Sequence, residues 1–227
     1  MITSDKPIGI IAGANVADVI EAHDTDANPL IQEQLPVADW GILALSWSFA
    51  GRGVADAYRV LAAYDNTVVF TNSVVAGTNQ AGQSMDLEIY GPVEFQGTQP
   101  IQVAHMANSF SYDYQTGDPC EILLPPIGHY LQTNIIVAPV DLVGSTNYWA
   151  ENYMTLIVPQ SATTNTIVDG SVLASTNFAS MGATGYSGAR ISVAGGTHIV
   201  TSSQPIYVEA YGFAYYDAYG FFGGVVP

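Results

Sequence analysis

The chain repeats itself, and that limits its fold more than any other feature. A short polar segment, a proline and an alternating apolar run occur three times: Ser4-Asp5-Lys6-Pro7-Ile8-Gly9-Ile10, Gly97-Thr98-Gln99-Pro100-Ile101-Gln102-Val103 and Ser202-Ser203-Gln204-Pro205-Ile206-Tyr207-Val208. Other stretches recur in the same order. Leu35-Pro36-Val37-Ala38-Asp39-Trp40 matches Pro125-Pro126-Ile127-Gly128-His129-Tyr130, Tyr58-Arg59-Val60-Leu61 matches Tyr153-Met154-Thr155-Leu156, and Thr67 to Ser73 matches Asn165 to Gly170. The separation grows from 90 residues (Pro36 to Pro126) to 105 (Pro100 to Pro205), so the second copy has longer loops. Self-similarity at a fixed period marks a tandem architecture. A proline is tolerated at the first residue of a strand, so each motif reads as a strand start. The chain thus divides into residues 1–20, an extra strand left from a truncated earlier copy, a first β module over 21–115 and a second over 116–227.

The repeated unit is built from strands. The chain has 22 glycines and 12 prolines, and Val, Ile, Thr and Tyr are abundant, which favours strands and turns over helices. Alternating runs such as Met85-Asp86-Leu87-Glu88-Ile89-Tyr90 and Tyr153-Met154-Thr155-Leu156-Ile157-Val158 are separated by Gly, Asn, Asp and Pro. Their spacing of about 8–12 residues is that of a sandwich or barrel. One short helix is expected near Ala17 to Ala22. The reading is an all-β protein of two tandem β-sandwich-like modules. The strand in residues 1–20 cannot stand alone, so it pairs with a module or with a neighbouring subunit.

Charge removes whole classes of partner. Four Lys plus Arg face twenty Asp plus Glu, a net charge of −16. Nucleic acid and anionic membrane surfaces both require a cationic face. No apolar run approaches the roughly 20 residues of a membrane helix. The single cysteine, Cys120, permits no internal disulfide and reads as a small buried hydrophobe.

Few residues suggest chemistry. Asp24, Asp26 and Asn28 open like a calcium loop, with hard oxygen ligands on alternate positions. Pro29 stands where the loop needs Gly and Leu35 where it needs Glu, so an EF-hand is excluded. The segment is either a solvated acidic loop or a looser calcium site, and no other cofactor is expected. His23, His105, His129 and His198 have no metal-ligand spacing and read as hydrogen-bonded structural residues. No Gly-x-Ser-x-Gly elbow and no phosphate loop is present, which speaks against an enzyme. Arg59 is expected to pair with a carboxylate in the interior or between modules, or else on the surface.

Eight aromatics fall within the sixteen residues from Tyr207 to Phe222. Alternation puts Ile206, Val208 and Ala210 on one face and Tyr207, Glu209 and Tyr211 on the other. Tyrosine offers flat contact area with a polar tip, so Tyr207, Tyr211, Tyr215 and Tyr216 are the candidate partner-binding residues. Packing on their own sheet is the competing reading.

Several stretches resemble the N-terminal domain family of the IgG Fc-binding protein. They are Ser4-Asp5-Lys6-Pro7-Ile8, Glu33-Gln34-Leu35-Pro36 with Trp40-Gly41, Tyr58-Arg59-Val60-Leu61-Ala62 with Asp65-Asn66-Thr67-Val68, Gly117-Asp118-Pro119 with Leu123-Leu124-Pro125-Pro126, and Gly195-Gly196-Thr197-His198 through Tyr219-Gly220. The resemblance implies a non-enzymatic exterior β-domain of mucus-associated and bacterial surface proteins. The family pattern carries cysteines after the first Pro strand and before Gly-Asp-Pro, whereas residues 12–30 and 107–116 have none here. That fits folding in a reducing compartment. The chain opens with Met and shows no secretion signal, which suits either a virion protein released by lysis or a fragment cut from a longer secreted adhesin. Two functions follow as expectations. One is an exterior structural or attachment protein of a virion, acting through other protein subunits in an oligomer or larger assembly. The other is a bacterial surface adhesin segment that binds a glycan or host glycoprotein.

Overall fold

The structure is a computed structural model that describes residues 2–17, 19, 27–140, 142–143, 146–149 and 151–224. It opens with an antiparallel hairpin, β1 (Ile11–Ala17) and β2 (Asn28–Glu33). The first large sheet holds β3 (Gly41–Trp47), β4 (Asp56–Ala62), β5 (Thr67–Thr71), β6 (Val74–Asn79), β7 (Ser84–Ile89), β8 (Pro92–Met106) and β9 (Glu121–Leu124). A one-turn helix, α1 (Phe110–Asp113), lies between the last two. Next come β10 (Leu131–Ala138) and the small hairpin of β11 (Leu142–Val143) and β12 (Thr146–Asn147). The second large sheet combines β10 with β13 (Glu151–Pro159), β14 (Ile167–Val168), β15 (Ser171–Val172), β16 (Ala179–Ser180), β17 (Tyr186–Ser192), β18 (Gly196–Ala214) and β19 (Asp217–Phe222).

The internal repeat reappears as one pairing scheme used twice. In the first sheet, β8 pairs with β3, β4, β5 and β9, while β4 also pairs with β7 and β5 with β6. In the second, β18 pairs with β10, β13, β14 and β19, while β13 also pairs with β17 and β14 with β15. Each long strand changes neighbours along its length. β8 lies beside β3 and β5 over its first half, with a last β3 pairing of Gly41 at Ile101, then beside β4 from Ile101 and β9 from Val103 onward. The motif prolines, Pro100 and Pro205, therefore sit inside long strands at the change of partners rather than at strand starts. A residue without an N–H fits there because the ladder is already being handed over. Gly97 marks the bend in β8: a Cβ on it would lie 2.4 Å from the Gln99 carbonyl oxygen.

β1 pairs antiparallel with β2 within the chain, as β8 does with β9 and β18 with β19. Val19 and Leu30 pack on Ala57 and Met106 of the first sheet. The Gln32 side chain donates to the Glu121 carbonyl. β9, at residues 121–124, pairs with β8, so by strand pairing the two sheets divide between Leu124 and Leu131. Of the helix expected over 17–22, Ala17 ends β1, and the remainder apart from Val19 lies outside the described residues.

The two modules share their core. Ile206, Val208 and Ala210 of β18 pack with Met154, Leu156 and Val158 inside the second module. Tyr207 points the other way, into a cluster with Leu45, Tyr58, Val60, Phe95 and Val103 of the first. Tyr211 and Phe213 join Phe49, Cys120 and Ile122. The sheets meet closely where β17 passes β3, since a Cβ on Gly188 would lie 2.3 Å from the Trp47 ring.

Candidate functional site

Burial splits the four candidate tyrosines into two pairs. Tyr207 is 3% exposed and Tyr211 0%, so neither is available to a partner in this fold. This corrects the sequence expectation for both. Alternation identified two faces of β18 correctly, but the first module covers the face expected to be open. Tyr211 instead holds the modules together: its hydroxyl accepts the Ala50 N–H at 2.8 Å and the Thr155 hydroxyl at 3.2 Å. Tyr207 donates to Glu209 Oε2 at 2.6 Å and stacks on Tyr130.

Tyr215 and Tyr216 are 75% and 51% exposed at the turn between β18 and β19. Two aromatics from the first module, missed in the sequence, stand near them: Phe110 of α1, with its ring 6.5 Å from Tyr216, and Tyr114, 6.2 Å from Phe110. Tyr114 is 76% exposed. Tyr114 and Tyr216 both have left-handed backbone, at φ 58° and 53°. Glycine or asparagine is the usual occupant of such positions, and an ordinary side chain there costs about 1–2 kcal/mol. Phe110, Thr116, Gly117, Tyr215 and Tyr216 line a shallow depression of about 60 Å³. The Tyr148 hydroxyl donates to the Tyr215 carbonyl at 2.8 Å and steadies the turn.

A buried ion pair supports this surface from below. Arg52 Nε lies 2.6 Å from Asp113 Oδ2, with both side chains closed to solvent. Arg52 also donates to the Thr116 carbonyl at 2.7 Å and to the Asn108 carbonyl at 2.5 Å, and its guanidinium lies 4.7 Å from the Phe213 ring centre. Burial raises the Asp113 carboxyl pKa, and the Arg52 charge only partly offsets it. The arginine singled out in the sequence, Arg59, instead makes a two-pronged pair with Asp86 at 2.7 and 2.8 Å on the exposed face of the first sheet. Its neighbours on that face leave it in water, so the interior role belongs to Arg52.

Between the modules lies a polar cluster. His105 Nε2 is 2.8 Å from Asp56 Oδ2, and Nδ1 is 3.3 Å from Ser46 Oγ. The ring is sandwiched between Phe49 and Tyr58 at 3.8 and 4.5 Å. Glu209 Oε2 approaches His105 Nδ1 to 4.0 Å from the second module. Burial raises the Glu209 carboxyl pKa, despite opposition from His105. Ser, His and Asp stand in hydrogen-bonding order here. However, Ser46 and His105 are 0% exposed and Asp56 is 1% exposed, so no substrate reaches the hydroxyl in this fold. The cluster supports the interface between modules.

The remaining candidates are structural or lie outside the described residues. His198 bridges Asp169 Oδ2 at 2.7 Å and the Ala194 carbonyl at 2.8 Å. Cys120 is buried, and burial pushes its thiol up to about 12. Asp24 and Asp26 lie outside the described residues, while Asn28 opens β2 and donates to the Pro119 carbonyl at 3.2 Å. Among the described residues, no three His, Cys, Asp or Glu side chains converge as metal ligands.

Comparison with known proteins gives one family. The model of the family described as IgGFc binding protein matches residues 1–212. No curated protein matches the chain. Among solved structures, the apo form of a Pleurotus ostreatus lectin is 10% identical, with 82% of this chain and 75% of that one covered and a TM-score of 0.25. A Bifidobacterium dentium β-glucuronidase complexed with coumarin-3-O-glucuronide is 9% identical, with 99% and 49% covered and a TM-score of 0.23. Scores this low support no argument from fold or function.

Proposed function

The chain belongs to the IgGFc binding protein family, and from that premise we propose that it is a non-enzymatic exterior binding protein whose contact surface is the aromatic cluster of Phe110, Tyr114, Tyr215 and Tyr216. The observation that carries this reading is their joint exposure. Tyr114, Tyr215 and Tyr216 are each more than half exposed, and they come from loops of two different modules. Exposed aromatics that burial of a core does not require are typical of contact surfaces. The occupant is a protein surface, because flat aromatic area with polar tips suits such contacts. A neutral glycan face stacking on the same rings is the second reading.

The partner carries no dominant negative charge. Arg52, Arg59 and Arg190 are all engaged within the chain, with Arg190 donating to the Ser48 carbonyl at 2.8 Å. A net charge of −16 repels an acidic partner. Among the described residues, no helix is long and apolar enough to cross a membrane. The exterior we favour is that of a virion, with a bacterial cell surface as the alternative. One buried cysteine in the chain supports folding in a reducing compartment. The test is a binding screen against immobilised IgG Fc, other exterior proteins and a neutral glycan array. It compares the native chain with Phe110→Ser and Tyr215→Ser. A bound partner lost in both variants at unchanged melting temperature is expected. Binding that survives both substitutions places the contact surface elsewhere.

A further inference from the structure

We propose that a cleft at the seam of the two modules binds an alkylammonium group. The proposal is independent of the aromatic cluster and rests on what lines the cleft. The turn after β5 contributes Asn72 and Ser73, the start of β8 contributes Pro92 and Glu94, and the turn after β16 contributes Ala183 and Thr184. The volume of about 410 Å³ is that of a small-molecule site, and such sites favour the boundaries between domains. Both walls are fixed by the chain itself. The Asn72 N–H donates to the Glu94 carbonyl at 3.0 Å, and the Glu94 N–H donates to Asn72 Oδ1 at 2.9 Å. On the other side, the Met181 N–H donates to the Tyr186 carbonyl at 3.0 Å and the Tyr186 N–H to Thr184 Oγ1 at 3.1 Å. The cleft is therefore formed before a ligand arrives, and little ordering is left to oppose binding.

The chemistry of the lining selects the ligand. Glu94 is its one charged residue among the described residues. It is half-buried, and the register sets it opposite Leu45, with Pro92 opposite Trp47, on the part of the first sheet that the second module covers. Its carboxylate makes no hydrogen bond or ion pair among the described residues, although its backbone is bonded to Asn72. Arg190, the cation of the same seam, is held over the Trp47 ring at 4.8 Å and donates to the Ser48 carbonyl instead. A carboxylate drawn partly out of water gains from a cation that also hydrogen-bonds to it. The Ser73 and Thr184 hydroxyls add two acceptors, which suits the three N–H donors of an ammonium. Pro92 and Ala183 offer apolar surface to a methylene stem. Among the described residues, no aromatic ring lines the cleft, so a sugar has no face to stack on there. The net charge of −16 repels anions and draws cations towards the chain. A lysine side chain of a partner protein and a free aliphatic amine present the same group.

The test is a titration of the isotope-labelled full chain, followed through its amide NMR shifts. The probes are acetyl-lysine methylamide, pentylamine and acetyl-norleucine methylamide, the uncharged analogue of the first. The amides of Ser73, Glu94 and Ala183 are expected to shift to saturation with the two amines and to stay in place with the norleucine compound. Tighter binding of the lysine compound assigns the site to a protein partner, and tighter binding of pentylamine assigns it to a free amine. Glu94→Gln is expected to weaken amine binding about tenfold, because it removes a charge-assisted bond. The melting temperature is expected to hold, because the carboxylate has no partner in the chain to lose. Glu33→Gln makes the same change of charge at an exposed position of β2. At physiological salt it is expected to leave binding within about twofold of the native chain. Equal weakening by both variants reduces the effect to general attraction by an acidic chain and overturns the proposal. So does saturation by the norleucine compound, or a chain whose cleft amides move with neither amine.

Discussion

Removing the Tyr211 hydroxyl tests whether β18 is a covered strand between two modules. Tyr211→Phe keeps the ring and its packing against Phe49 at 4.6 Å and Phe213 at 6.0 Å. It deletes the acceptor of the Ala50 N–H, while the Thr155 hydroxyl retains Glu209 as a partner on the adjacent strand. One largely buried N–H is left without an acceptor, at a cost of about 1–3 kcal/mol. Tyr211→Ala also empties the space of the ring and costs about 3–5 kcal/mol. For a chain of this size, each kcal/mol lowers Tm by about 2–4 °C. Guanidinium unfolding followed by circular dichroism measures both, and the native m-value should be kept. Tyr215→Ala, at the exposed turn, is expected to stay within about 0.5 kcal/mol of the native chain. If Tyr211→Ala is as mild as Tyr215→Ala, the Tyr-bearing face of β18 is open and the shared core is wrong.

The arginines make a second contrast. Arg52→Ala strands the buried Asp113 and is expected to cost about 3–5 kcal/mol, whereas Arg59→Ala removes a pair half in water and costs at most about 1 kcal/mol in the same unfolding assay. At His198, burial lowers the pKa, but the hydrogen bonds to Asp169 and Ala194 outweigh it and raise the pKa above the ordinary 6.5. The stabilisation this gives is complete below about pH 6.5 and is lost as pH rises through the folded-state value. Asp169 is held below its ordinary 3.8 by His198, so its share appears above that pH and is lost as pH falls through its own folded-state value. His198→Gln is therefore expected to lower Tm most between about pH 4 and 6.5 and least in alkali. The difference is about 1 kcal/mol or less because Asp169 is 47% exposed.

Strand content and tandem order were legible in the sequence because both are local. Alternation at Tyr153 to Val158 and the paired Pro100 and Pro205 motifs are written in neighbouring residues. What covers a face is not local. Ile206-Tyr207-Val208 announces two sides of a strand, but only the distant Phe49, Tyr58 and His105 decide that the tyrosine side is closed. Arg52 was overlooked for the same reason, since its partner Asp113 lies far along the chain. Its signal was a scarce arginine set between Gly51 and Gly53, both of which have left-handed backbone. Phe110 and Tyr114 could have been found from the aromatic run Phe110-Ser111-Tyr112-Asp113-Tyr114 just ahead of Gly117-Asp118-Pro119. The strand-start reading of Pro100 failed because a strand that changes partners offers a proline the same freedom as a strand end.

The most direct test of the central claim is tyrosine nitration of the folded chain, read by peptide mass spectrometry with and without the partner found in the binding screen. Nitration needs solvent access and proceeds through the phenolate. Burial both hides Tyr207 and Tyr211 and raises their phenol pKa values, with Glu209 adding to the effect. Tyr114, Tyr215 and Tyr216 are expected to react early in the free protein and to be protected by the partner. Tyr207 and Tyr211 are expected to stay unmodified until the chain unfolds. Early nitration of Tyr207 or Tyr211, or a partner that leaves Tyr215 and Tyr216 as reactive as before, would contradict the account.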